Sequence, residues 1–134
     1  MQHKIIDKVA LISIKDRKIL STRSKTKTKF YFPGGKRENN ESDITCLKRE
    51  ILEELSVHIV EESVRLLGTF EAIADGRNQD TLVRMICYFS DFEGVLHPAN
   101  EIETFEWLTY KDKHRTSAVD QIIFHRLKEM NLID

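Results

Sequence analysis

Four carboxylates crowd into one short stretch of this chain: Glu41, Glu50, Glu53 and Glu54, downstream of a Pro33-Gly34-Gly35 turn. Glutamates at i, i+3 and i+4 project from one side of a helix. Three anions packed that closely repel one another unless a cation sits among them. Glycines just upstream let the backbone take positive φ and approach a ligand closely. These residue types at this spacing point to a cation held where a glycine turn runs into a helix.

The helix that must carry the cluster begins at Ser42, a good N-cap, with Asp43 at the positive end of the dipole. Ile44, Leu47, Ile51 and Leu55 recur at helical spacing and form one stripe. Glu54, Glu50 and Glu53 follow in that order around the wheel, starting at the edge of the stripe. The acidic cluster thus lies beside the buried face, as a cleft on a sheet-packed helix requires. Residues 5–14 and 18–22 read as two antiparallel strands around a turn at 15–17. Residues 65–74 and 81–90 read as longer strands around a turn at 75–80, with burial expected on both faces. A strand at 103–108 carries the lone Trp107. A last amphipathic helix spans about 117–130, with Val119, Ile122, Ile123, Leu127 and Met130 largely along one face. Strands, helix, strands, helix imply an α/β fold with a mixed sheet between helices.

The 134 residues suit one domain with a real hydrophobic core. With 40% apolar and 32% charged residues and a net charge of -1, the chain has no footprint for a nucleic-acid polymer. Cys46 and Cys87 stand in no metal-type spacing and read as small buried thiols, which makes a reducing cytoplasm the simplest home. No sustained apolar segment suggests a signal peptide or membrane span.

Gly35, Glu41, Arg49, Glu50, Ile51, Glu53, Glu54 and Val57 resemble the signature of the Nudix hydrolases: Gly, five residues, Glu, seven residues, Arg-Glu, an aliphatic, any residue, Glu-Glu, any residue, Gly, an aliphatic. Residues 35–57 match at every position but one, Ser56 in place of Gly. That departure bears on the helix end, where a left-handed residue with a β-carbon costs roughly 1 kcal/mol. Asn39-Asn40 stands where many relatives have Pro-Gly, and Asn tolerates left-handed geometry. The resemblance implies a Nudix-type α/β/α sandwich over residues 1–134, hydrolysing a nucleoside diphosphate linked to another group with magnesium or manganese.

On the same resemblance Glu50 and Glu54 are metal ligands, the Gly34 carbonyl completes the shell, and Glu53 shares a second metal or acts on the nucleophilic water. Arg49 joins Glu50 and Glu53 in the catalytic group either by touching phosphate or, the favoured reading, by orienting carboxylates together with Glu41. Glu101, six residues before Trp107, stands at a place similar to one where some relatives carry an acidic metal ligand or base in a loop, and is alternatively a solvated loop glutamate; Glu103, Asp75 and Glu71 compete for the role of base. Arg23 and Gly35 are candidates for substrate contact, Arg23 alternatively a solvated strand-end residue. Phe32, with Tyr31 and Trp107, offers a ring to stack on a base, though core packing suits at least two of the three. Lys25, Lys27 and Lys29 read as solubilising charges, and the histidines as surface residues.

The stretch after the box lacks the proline of the ADP-ribose subgroup, the tyrosine of the dinucleoside-polyphosphate subgroup and the pattern of NADH pyrophosphatases. By elimination the chain resembles the nucleotide-pool cleaning, MutT-like branch, cleaving a nucleoside triphosphate, 8-oxo-dGTP among them, to monophosphate and pyrophosphate. The alternatives are a nucleotide sugar or dinucleotide substrate, or a non-catalytic nucleotide-binding module. The expected partner is a small-molecule nucleotide, and the chain is expected to be a monomer or homodimer.

Overall fold

The computed structural model describes residues 4–74 and 80–134. Its strands are β1 (Lys4–Ile12), β2 (Ile14–Lys15), β3 (Lys18–Ser24), β4 (Gly34–Lys36), β5 (His58–Ile59), β6 (Arg65–Ile73), β7 (Thr81–Phe89), β8 (Phe92–Glu93) and β9 (Ile102–Leu108), and its helices α1 (Asp43–Leu55) and α2 (Ala118–Glu129). One sheet runs β4-β1-β7-β6 and a second runs β2-β3-β9. β1 lies parallel to β7 and antiparallel to β4, so the larger sheet is mixed, as expected.

The two faces of β1 explain the layering. Val9 and Leu11 point to a core shared with Leu47, Ile51 and Leu55 of α1. Ala10 and Ile12 point the other way, to Ile123, Phe124 and Leu127 of α2. Period-2 alternation on a strand buried on both faces therefore sets one helix above and one below. Each fully buried Leu or Ile here contributes about 1.5–3 kcal/mol.

The pairing expected between residues 5–14 and 18–22 is realised only at its end. Ile14 and Lys15 pair with Ile19 and Lys18, across a two-residue turn whose Asp16 and Arg17 both have positive φ, the geometry that suits hairpin twist. The rest of β1 takes β7 as its neighbour instead, because residues buried on both faces belong in the middle of a sheet. The last helix also differs from expectation in its buried face. Val119, Ile123 and Leu127 are buried, but Ile122 and Met130 are exposed, and Asp120 and Phe124 are buried in their place. Apolar counting along the wheel skipped Asp120, which the fold buries to accept a hydrogen bond from the Phe32 backbone N–H at 2.8 Å. The turn expected at 75–80, with Asp75, lies outside the described residues except for Asp80. Among the described residues no helix is long and apolar enough to cross a membrane.

Candidate active site

α1 starts as its sequence dictates: the Ser42 hydroxyl accepts from the Thr45 N–H at 3.1 Å. Its end is equally defined. Ser56 takes φ 63°, ψ 26°, the left-handed cap where the family pattern has Gly, and its N–H donates to the Leu52 carbonyl. Its hydroxyl donates to the His97 carbonyl at 3.2 Å, which offsets part of the conformational cost. Asn39 and Asn40 likewise both have positive φ.

The glycine turn meets the helix at the carboxylates. Gly34 has φ 141°, and a β-carbon there would lie 2.1 Å from the Val9 carbonyl oxygen. A β-carbon on Gly35 would lie 2.5 Å from the Glu50 carboxylate. The missing side chains are what allow the turn to press against the acidic face of α1. The Gly34 N–H donates to Glu54 Oε1 at 3.0 Å.

Glu54 is only 7% exposed. Burial pushes its carboxyl up to about 8; the Gly34 N–H works against the shift, and the nearby charges of Glu50 and Glu101 add to it. Glu50 is raised too, by burial first, despite the opposing hydrogen bond from Arg49. Glu53 is half-exposed.

Arg49 binds carboxylates on every side. Its Nε and Nη2 grip Glu41 at 2.7 and 2.8 Å, a bidentate fork. Nη1 reaches Glu50 at 2.9 Å and Glu53 at 3.4 Å, and Nη2 also donates to the Lys36 carbonyl at 3.1 Å. The Arg49 hydrogen bond, above all, holds the Glu41 carboxyl down at about 2. A second network anchors the helix start: Arg37 reaches Asp7 and Asp43, and Tyr88 donates to Asp43.

Glu101, whose charge is felt by Glu50 and Glu54, directly follows a clamp that sequence reasoning missed. The three carbonyls of Glu53, Glu54 and Leu55 at the end of α1 accept from Asn100 Nδ2 at 2.8 Å, the Ala99 N–H at 3.0 Å and the His97 N–H at 2.9 Å. The last turn of α1 has no basic residue to complement its dipole, so these loop donors serve its orphan carbonyls. The one available signal is Asn100 itself, a residue type that accepts the left-handed geometry it adopts here at φ 54°.

Other candidates lie elsewhere. Arg23 is paired with Glu103 at 2.8 Å and donates to the Lys27 carbonyl, so neither faces the cluster free. Glu71 pairs with Arg84 across β6 and β7. The Phe32 ring, assigned to substrate from the sequence, lies in the core instead, 3% exposed and stacked on Phe124 at 5.4 Å; an aromatic beside a glycine turn is drawn to the apolar face of α2. Trp107 packs on the α1 core, and Tyr31 is half-buried under the Lys8 ammonium. Both cysteines are buried and free, with burial raising the Cys46 thiol to about 11.

Among the described residues no three His, Cys, Asp or Glu side chains are drawn close enough to hold a cation as they stand. Two of the oxygens such an ion would use are engaged: Glu50 with Arg49 and Glu54 with Gly34. The donor set itself fits a hard divalent cation. It is all oxygen, and burial disfavours the anionic form of its two most buried carboxyls, Glu54 and Glu50.

The NUDIX domain matches in sequence over residues 5–127. No curated protein matches the chain. Among solved structures, the chain is similar to the Escherichia coli ORF135 protein (TM-score 0.75, 23% identity, 96% of this chain and 92% of that one covered). It is similar also to the MutT protein of Methanosarcina mazei Go1 (0.77, 18%, 98% and 98%), and to a UDP-X diphosphatase (0.65, 16%, 96% and 62%). At these identities the likeness concerns the fold, while the sequence match extends over most of the chain. With its carboxylate helix and glycine turn set on that fold, the chain belongs to the Nudix family, pyrophosphohydrolases that act on phosphoanhydride bonds of small-molecule nucleotides and generally use divalent metal ions.

Proposed function

We propose that this protein, as one domain over residues 1–134 with its signature at 35–57, hydrolyses nucleoside triphosphates to monophosphate and pyrophosphate. It would serve the cleaning of the nucleotide pool in the cytoplasm, with 8-oxo-dGTP as one substrate. The observation that carries the site assignment is the closure of Gly34 and Gly35 onto Glu50 and Glu54, with the charge of Glu101 felt by both. The substrate assignment is supported by the absence of other subgroup markers and by the likeness to MutT proteins. A nucleotide-sugar substrate is the second reading, supported by the likeness to the UDP-X diphosphatase.

Glu50, Glu54, Glu101 and the Gly34 carbonyl would hold magnesium or manganese. When bound, such an ion neutralises the diphosphate and lowers the pKa of a bound water. Glu53, half-exposed beside the buried pair, takes the proton of the attacking water or shares a second ion. Arg49 keeps Glu41, Glu50 and Glu53 in register without touching substrate. Gly35 leaves room for the phosphates to approach, and Arg23 meets them by exchanging Glu103 for a phosphate oxygen.

The test is a magnesium-supplemented hydrolysis screen over triphosphates, nucleotide sugars, ADP-ribose and dinucleotides, with products identified. Monophosphate and pyrophosphate from a triphosphate are expected, and Glu53→Gln should lower kcat by about 10²–10⁴-fold. Turnover confined to nucleotide sugars would overturn the substrate, and a fully active Glu53→Gln variant the mechanism.

A further inference from the structure

A cavity of about 230 Å³ opens between β1, β7 and the start of α2. Ile6, Val83 and Met85 contribute an apolar wall, and Tyr31, Lys36 and Val119 lie around it. Lys8 stands in this wall, opposite Lys36 on β4 and Met85 on β7 in the strand register. A lysine in the middle of a strand whose next four residues are buried breaks the apolar pattern of β1.

The Lys8 ammonium is held expensively. It sits 5.5 Å from the centroid of the Tyr31 ring, and among the described residues no carboxylate lies within ion-pair distance of it. Burial lowers its pKa; Asp120 and, less strongly, Glu54 pull the other way, while Lys36 and Lys27 repel. Lys8 shares the cavity lining with Ile6, Val83, Met85 and the Tyr31 ring, an apolar and aromatic setting that suits a flat base better than a phosphate. A half-buried cation facing a cavity without an ion pair is stabilised by an oxygen acceptor brought by a ligand. Lysine is a donor only. Guanine and thymine present a carbonyl oxygen, O6 or O4, where adenine and cytosine present an amino group.

We propose that Lys8 reads the nucleobase by donating to a ring carbonyl oxygen, so that the site favours keto bases over amino bases. The proposal rests on the nucleotide reading of the adjoining site. An amino group at the same place sets donor against donor and leaves the ammonium unpaired. A phosphate role would instead make Lys8 indifferent to the base.

The experiment measures kcat and KM for dGTP, dATP, dTTP and dCTP with wild type and Lys8→Met, alongside calorimetric binding of dGMP and dAMP. Wild type should favour dGTP over dATP and dTTP over dCTP by about tenfold or more in kcat/KM. Lys8→Met should abolish both preferences through KM, with kcat for the amino-base substrates kept. A uniform loss over all four nucleotides, or a preference unchanged in the variant, would overturn the assignment. Were no triphosphate hydrolysed, a dGMP preference present in wild type and lost in Lys8→Met would still uphold Lys8 while removing the triphosphate reading. Lys8→Gln, which keeps a donor but adds an acceptor, should narrow the preference without erasing it, and supplies the same test if Lys8→Met folds poorly.

Discussion

Two adjacent glycines do different jobs, and the distinction is measurable. A β-carbon on Gly34 would collide with backbone at the Val9 carbonyl and stand at a φ of 141°. Nothing flexible can yield there, so Gly34→Ala should lose about 3 kcal/mol of stability in urea unfolding. A β-carbon on Gly35 meets only the tip of the Glu50 side chain, which can move. Gly35→Ala should therefore fold to near wild-type stability and lose apparent magnesium affinity by about 10–100-fold. Equal losses of stability in the two variants would show that Glu50 is not held where the structure puts it. From the sequence, the turn was legible because Pro-Gly-Gly is a turn signal; which glycine faces which group was not, because that depends on β1, more than twenty residues upstream.

At the scale of elements, α1 carries its start in its own residues and borrows its end. Ser42 and the apolar stripe define the first three turns, and both are readable in sequence. The last three carbonyls are served by residues 97–100, a contact more than forty residues away in the chain. Asn100→Gly keeps the left-handed backbone and removes only the Nδ2 donor, so it should cost about 1 kcal/mol. Because the clamped loop runs directly into Glu101, whose charge Glu50 and Glu54 feel, the variant should need several-fold more magnesium for half-maximal turnover. Asn100→Ala should lose about 1 kcal/mol more, for the β-carbon in left-handed geometry. A magnesium requirement unchanged in Asn100→Gly would reduce the clamp to a stability device.

For the whole molecule, the buried carboxyl ties stability to pH and to metal. The Glu54 pKa rises from 4.5 to about 8 on folding, so the native state binds more protons than the unfolded chain between those values. Stability contributed through this group falls as pH rises across that window, the reverse of an ion-paired carboxylate. Glu41, lowered to about 2 by Arg49, acts in a separate acid window: its contribution is present above 4.5 and lost as pH falls toward 2. In the absence of divalent ions, Tm should therefore decline from about pH 5 to about pH 8, more steeply in wild type than in Glu54→Gln, whose amide does not titrate. Magnesium should restore wild type at the alkaline end and leave Glu54→Gln nearly unmoved. A wild-type slope no steeper than that of the variant would contradict a Glu54 carboxyl raised by burial.

What the amino-acid sequence determined by itself was local and periodic: the N-cap and stripe of α1, the face on which its glutamates stand, and the order of strands and helices. These follow from spacings of two, three and four residues, which the chain states directly. The tertiary structure alone decided which strands are neighbours, that Phe32 is core while Asp120 is buried beneath it, that Arg23 is spoken for by Glu103, and that Asn100 ties its loop to the end of α1. Each of these joins residues far apart in the chain, where burial and hydrogen-bond demand settle the partner and no local spacing records it.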